Sequence, residues 1–416
     1  MLAPVRSVSL SLPLALLGLA LSGPAWGTAN AQTSPRVQAS EQILPTQLSA
    51  QLLLDAGEFA SAIVVATEDL DEDGPLLPLI ENLRILGDSH LALGQLPASL
   101  DAYARARYEL HLRAGLHRLT EIPLLLREAT VFVQDNDLKR ANDRHEYAFT
   151  IRLLQPDSSD LIDATIDLAQ WYESNRFLSA ARDLYRHALD LADELEPTND
   201  LLHARLHGYV AQTYRAQFFP DLEANKHRDW VRLLLRPHGY RWRDIEALTT
   251  GPWAIEYYYR TLYALKKSVA LLEESDAASD EELRLGLLQL GDWLLLSRKF
   301  GRAYDTYAKL EAIGASERIA ESAIALEQPE LLSINLPRKP VIPSIGHTKG
   351  HIELLIAVDR KGKTRRIRTV HIEPSFVDDL PYRKAIRHAR FRPAIIDGVA
   401  TYSENVTVVL DFDSRD

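Results

Sequence analysis

His351-Ile352-Glu353-Leu354-Leu355-Ile356-Ala357-Val358 alternates residue by residue, with Ile352, Leu354, Ile356 and Val358 forming one apolar set. An alternation of period two predicts a strand with one buried face. Asp359-Arg360-Lys361-Gly362 follows, and Gly362 stands where a hairpin turn needs a positive φ. A second strand is expected over residues 365–372. Asp378-Asp379 can then cap a helix over 380–389, with Pro381 in its first turn. Ala385, Ile386 and Ala389 share one helical face. A last strand is expected near the end of the chain, with Val406, Val408, Leu410 and Phe412 inward and Thr407, Val409 and Asp411 outward.

The order is strand, turn, strand, helix, strand, and Arg390-Phe391-Arg392-Pro393-Ala394 with Gly398 precedes the final strand. In these residues the segment resembles the C-terminal domain of TonB, the periplasmic energy transducer. The resemblance spans residues 337–413 and implies a small β-β-α-β domain that works by pairing with a partner's strand. It implies a docking edge at Tyr402, Ser403, Asn405, Thr407, Val409 and Asp411, where backbone hydrogen bonds give affinity and alternate side chains give selectivity. It implies a TonB-dependent outer-membrane receptor among the partners. An open edge can also self-pair, so a homodimer is a further expectation.

Residues 40–330 carry a different signal. Leu83, Leu86, Gly87 and His90, followed by Ser99, Tyr103 and Ala106, recur in offset as Thr165, Leu168, Ala169 and Tyr172 with Ala181, Tyr185 and Ala188. They recur again as Leu287, Leu290, Gly291 and Leu294 with Ala303, Tyr307 and Leu310. A fainter copy runs Leu125, Glu128, Ala129 and Phe132 with Ala141, His145 and Ala148. Small residues let two helices approach, and the aromatics are expected to fill grooves toward the next hairpin. The pattern resembles tetratricopeptide repeats, though its spacing of about 40 residues exceeds the 34 usual there. Units are expected to start near Ile43, Ile80, Ile122, Ile162, Ala204, Asp244 and Arg284. The stretch holding Trp230, Trp242, Trp253 and Tyr257-Tyr258-Tyr259 fits poorly; it reads as an irregular pair of longer helices or as an aromatic binding groove. The fold class expected is therefore α+β in two units: a tetratricopeptide-like α-solenoid, a Pro-rich linker at 331–343, and a TonB-C-like domain at 344–416.

Residues 1–31 read as a signal peptide, with Arg6, an apolar core at 10–21, and Ala29-Asn30-Ala31 at the cleavage site. That core is short of the roughly 20 residues of a membrane span. There is no cysteine among the 416 residues, which excludes disulfides, thiol nucleophiles and thiolate metal sites. From Asn335 onward 15 Lys and Arg stand against 10 Asp and Glu, while the whole chain carries −11. An acidic body with a basic tail argues for two different surfaces. The surplus is too small to suggest nucleic acid. The basic run Arg365, Arg366 and Arg368 reads as a solvated hairpin or as a contact for an anionic partner such as peptidoglycan.

Neither the calcium-like Asp69–Gly74 stretch nor the pairs His203/His207 and His347/His351 completes a metal site, and no catalytic motif stands out. No cofactor or enzymatic activity is expected. The expectation is an exported, non-enzymatic adaptor in a Gram-negative periplasm, binding envelope proteins through repeats and strand addition. The alternatives are an anchored TonB-type transducer and a peptidoglycan-binding module.

Overall fold

The computed structural model describes residues 45–155, 160–219, 253–314, 326–337 and 349–413. The leader at 1–31, Trp230, Trp242, Asp244, His347 and most of the proline-rich segment lie outside the described residues. The chain divides into two compact units that part between Leu168 and Ala169. The division therefore falls inside a helix, not at residues 331–343.

The first unit holds α1 (Pro45–Asp55), α2 (Phe59–Glu68), α3 (Leu76–Ala92), α4 (Leu96–Ala114), α5 (Ile122–Gln134), α6 (Leu138–Leu153) and the start of α7 (Asp160–Ser174). The second holds α8 (Leu178–Leu195), α9 (Asp200–Phe218), α10 (Trp253–Glu274), α11 (Asp280–Leu296) and α12 (Phe300–Gly314), then the β region. Among the described helices α3 packs on α4, α5 on α6, α9 on α10 and α11 on α12.

The offset pattern has a direct steric cause. A Cβ added at Gly87 would lie 2.2 Å from the Tyr103 ring, and one at Gly291 would lie 2.4 Å from the Tyr307 ring. Each tyrosine thus lies flat on the glycine of its own hairpin. The expectation that the aromatics reach toward the next hairpin is corrected for Tyr103 and Tyr307, whereas the Tyr185 ring does stack on Tyr209 of α9, with centroids 5.1 Å apart. Their hydroxyls donate to the residue after the glycine, Tyr103 to Asp88 at 2.6 Å and Tyr307 to Asp292 at 2.8 Å. Tyr185 is fully buried and donates to Glu173 at 2.8 Å.

The turns repeat as well. Gly57, Gly94, Asn136, Arg176 and Arg298 all have positive φ, each between the two helices of a hairpin. At Gly94 the amide donates to Leu91 (2.9 Å) and the Gln95 amide to His90 (2.8 Å). The same two bonds recur at Arg298 and Lys299, which donate to Leu295 (2.9 Å) and Leu294 (2.8 Å). This is the left-handed helix ending that satisfies the last carbonyls.

In the β region, β2 (Lys349–Val358), β3 (Thr364–Glu373) and β7 (Ser403–Asp413) form an antiparallel sheet in the order β3-β2-β7. Between β3 and β7 come α13 (Leu380–His388), β4 (Arg390–Arg392), β5 (Ile395–Ile396) and β6 (Val399–Ala400). Ile352, Leu354, Ile356 and Val358 are buried with Val408, Leu410 and Phe412 against Tyr382, Ala385 and Ile386 of α13. The Asp378 carboxylate, rather than Asp379, accepts the first amide of α13 at 3.0 Å. Gly362 has φ +69, and an added Cβ would stand 1.9 Å from the Phe391 carbonyl oxygen. Glycine is needed there for two reasons, the turn and the close passage of β4.

Glu330–Ser333, at the start of the expected linker, is instead strand β1, paired antiparallel with β4. Its residues find hydrogen-bonding partners about sixty positions later, which local reading of a proline-rich stretch does not anticipate. Among the described residues no helix is long and apolar enough to cross a membrane.

Candidate docking surfaces

β7 pairs with β2 along one side, from Lys349↔Asp413 to Val358↔Ser403. Among the described residues no strand pairs with its other side. Alternate residues therefore turn amides and carbonyls away from the sheet. The six expected docking residues do not form one regular row. Tyr402 is exposed and precedes the strand. Asn405 has φ +58 at a register shift opposite residues 356–358, which sets Ser403 and Asn405 off from the rest. Thr407, Val409 and Asp411 continue the regular edge, lying opposite Leu355, Glu353 and His351. The ladder is thus regular from Val406 onward.

The opposite edge, β3, is also unpaired among the described residues, but it carries exposed Arg365, Arg366 and Arg368. Charge along an edge discourages strand pairing. Arg365 contacts Asp359 at 3.0 Å and Arg366 donates to Glu404 at 2.7 Å. Two of the three arginines are therefore engaged within the molecule.

The motif residue Arg392 is not on a docking edge. It is 2% exposed, and its guanidinium donates to both carboxylate oxygens of Asp292, at 2.9 and 3.1 Å. Glu330 of β1 lies 2.7 Å from the same guanidinium. Burial disfavours the Arg392 charge, but pairing with Asp292 outweighs it and raises the pKa. Burial likewise pushes the Tyr307 hydroxyl up, reinforced by the adjoining Asp292 carboxylate. The last hairpin and the β region thus share one buried polar cluster. Around it, Tyr304 donates to the Arg360 carbonyl, the Gly398 amide donates to Glu311, and the Ile395 amide donates to the Leu326 carbonyl at 2.7 Å. Sequence reading singled out Arg392 but not its partner. The available signal was the Gly-Asp pair at both 87–88 and 291–292, which places a carboxylate under each tyrosine.

Beside this cluster is an open cleft of about 720 Å3. Glu173, Arg176, Gln212, Arg215 and Gln289 line it, and Leu332 of β1 contributes an apolar wall. Arg215 lies 3.7 Å from Asp292, so the cleft adjoins the polar cluster. Burial raises the Glu173 pKa, with the Tyr185 hydroxyl opposing. The lining combines both charges with amides, which suits a polar chain segment rather than a lipid.

The aromatic stretch divides. Tyr257 packs on Tyr214 and Phe218, and Tyr258 stacks on Trp293, while Tyr259 and Tyr263 are exposed. The histidine pair on α9 also resolves. His203 bridges the Asn199 carbonyl (2.8 Å) and Asp193 (3.0 Å), and His207 meets the Tyr263 ring edge-on. The Asp69–Gly74 turn is held by its own Asp71 carboxylate and by the Asn82 amide on the Asp69 carbonyl.

No family model matches the chain, and no curated protein matches it in sequence. Similar solved structures are helical-repeat proteins. One is a kinesin light chain-like protein with nearly identical TPR-like repeats from Podosopora anserina (11% identity, 59% of this chain and 99% of that one, TM-score 0.40). Another is BtubC from P. vanneervenii (13%, 67% and 93%, 0.38). A third is aspartyl phosphate phosphatase F from Bacillus subtilis (13%, 67% and 72%, 0.34). At these scores the likenesses do not bear on what this chain binds. The helix hairpins and the small antiparallel β region stand on the geometry above.

Proposed function

We propose that this chain is a protein-binding adaptor whose β7 edge takes up an extended segment of a partner by strand addition. The observation that carries this reading is the unpaired side of β7, regular from Val406 and less charged than β3. The order β2, β3, α13, β7, with a glycine turn and the terminal strand at the edge, supports the likeness to TonB C-terminal domains. Its partner class is then an envelope protein, a TonB-dependent receptor included, and its setting the Gram-negative periplasm. The cleft beside Arg215 is a second surface for a polar segment. No arrangement described above asks for catalysis.

The adaptor reading is favoured over a force-transmitting one because Arg392 ties the β region to the last hairpin, where a transducer has a free-standing terminal domain on a long spacer. It is favoured over a peptidoglycan module because Arg365 and Arg366 are already paired. The test is crosslinking in cells of the parent chain and of a Thr407→Lys/Val409→Lys double variant. Both positions face the outer side of the edge strand, so the fold survives while strand pairing is obstructed. Loss of the captured partner is expected. Unchanged capture by a folded variant overturns the β7 assignment, and recovery of the mature N-terminus with residues 10–21 retained overturns the adaptor reading in favour of an anchored one.

A further inference from the structure

His351-Ile352-Glu353 on β2 and His371-Ile372-Glu373 on β3 are the same His-x-Glu triplet on two adjacent antiparallel strands. Their register sets His351 opposite Glu373 and Glu353 opposite His371. Because Ile352 and Ile372 between them face the core side, all four polar residues share the outer face of the sheet. The two imidazoles are diagonal neighbours, with ring centroids 5.3 Å apart. One ligating atom from each of His351, His371 and Glu373 lies within 4.8 Å of the other two, with His371 and Glu373 3.9 Å apart. Asp411 of β7 stands opposite His351 on the other side.

We propose that this checkerboard is a binding site for a divalent cation of the zinc class, held by His351, His371 and Glu373. Two imidazoles and a carboxylate suit zinc, nickel or copper, whereas calcium and magnesium require oxygen-rich shells. A tetrahedral ion with bonds of about 2.0–2.1 Å needs ligand atoms roughly 3.3 Å apart. The side chains are half-buried or exposed, so modest rotation of the rings closes the gap without moving backbone. The strands fix the Cα positions, which makes the site largely preorganised. A bound ion would clamp β2 to β3 just where their register shifts, between Glu353 and Leu354. A fourth position remains toward solvent, within the neighbourhood of the Asp411 and Glu353 carboxylates. Arg368, opposite Leu355, carries a positive charge on β3 near the site and opposes binding modestly. This inference stands apart from the strand-addition reading, since it needs no partner chain.

The test is calorimetric titration of the untagged, chelator-treated full chain with zinc chloride, with magnesium chloride as comparison. One equivalent of zinc and no magnesium heat are expected. His371→Ala should abolish the zinc heat and Glu373→Gln should weaken it at least ten-fold, while His203→Ala leaves it unchanged. Cobalt(II) supplies a second readout, because a tetrahedral site gives strong visible absorption that His351→Ala should remove. Absence of zinc heat in the parent, or equal zinc binding in a folded His351→Ala/His371→Ala variant, overturns the site.

Discussion

A single backbone conformation recurs where the residue type does not favour it. Asn136, Arg176 and Arg298 occupy the left-handed turn position that Gly57 and Gly94 hold in the first two hairpins. A side chain there costs roughly 1–2 kcal/mol relative to glycine. Arg298→Gly is therefore expected to stabilise the last hairpin by about 1 kcal/mol, visible as a higher midpoint in denaturant unfolding. Glycine is the residue type that marks such a turn; arginine is not, so only repetition of the hairpin reveals its place. His145, which holds the aromatic position of the third hairpin, carries another residue-scale consequence. Burial lowers its pKa to about 4 from 6.5. The unfolded chain then binds the extra proton first, so stability is whole above the unfolded value and is lost as pH falls from about 6.5 toward 4. A His145→Phe variant should flatten that part of the pH profile of thermal unfolding, with up to about 3 kcal/mol at stake.

At the scale of elements, the hairpins and the sheet were legible for steric reasons. Strands 352–358 and 406–412 alternate because one face is buried, and the glycine–tyrosine offset recurs because a ring must lie on bare backbone. What was not legible was β1, along with the short pairs β4, β5 and β6. Strands of two to four residues have no period to read, and β1 finds its register only through β4. The docking edge was legible as a strand but not in its bulge, since Asn405 reads like any edge residue until its φ is known. The glycine contact gives a sharp expectation. Gly291→Ala gains helix propensity of about 1 kcal/mol, yet its methyl would stand 2.4 Å from a fully buried Tyr307 ring. Overpacking of that kind costs about 1–3 kcal/mol. The net effect should be loss of stability, whereas Gly301→Ala on α12, with open space around it, should stabilise. Thermal unfolding of the two variants side by side checks the contrast.

At the scale of the whole molecule, the charge asymmetry of the sequence has a specific meaning. The basic tail and the acidic body meet at Arg392 and Asp292, one hundred residues apart. A buried pair of this kind adds little net stability over an apolar replacement, but removing one member leaves an uncompensated charge and costs about 3–5 kcal/mol. Arg392→Ala exposes that cost in full, since Asp292 would keep only the Tyr307 hydroxyl and the more distant Arg215. The double variant Arg392→Leu/Asp292→Leu removes both charges and should recover much of the loss. The β region has its own core around Ile352, Leu354, Leu410 and Ile386, so it should survive the single substitution while its attachment to α11 and α12 loosens. The expected record is two thermal transitions in Arg392→Ala in place of a coupled one, with faster amide exchange in β1 and β4 and unchanged exchange in β2. If β2 amides exchange faster by the same factor as those of β1, the sheet depends on the hairpin for its folding, and the ion pair is part of one core rather than a clasp between two.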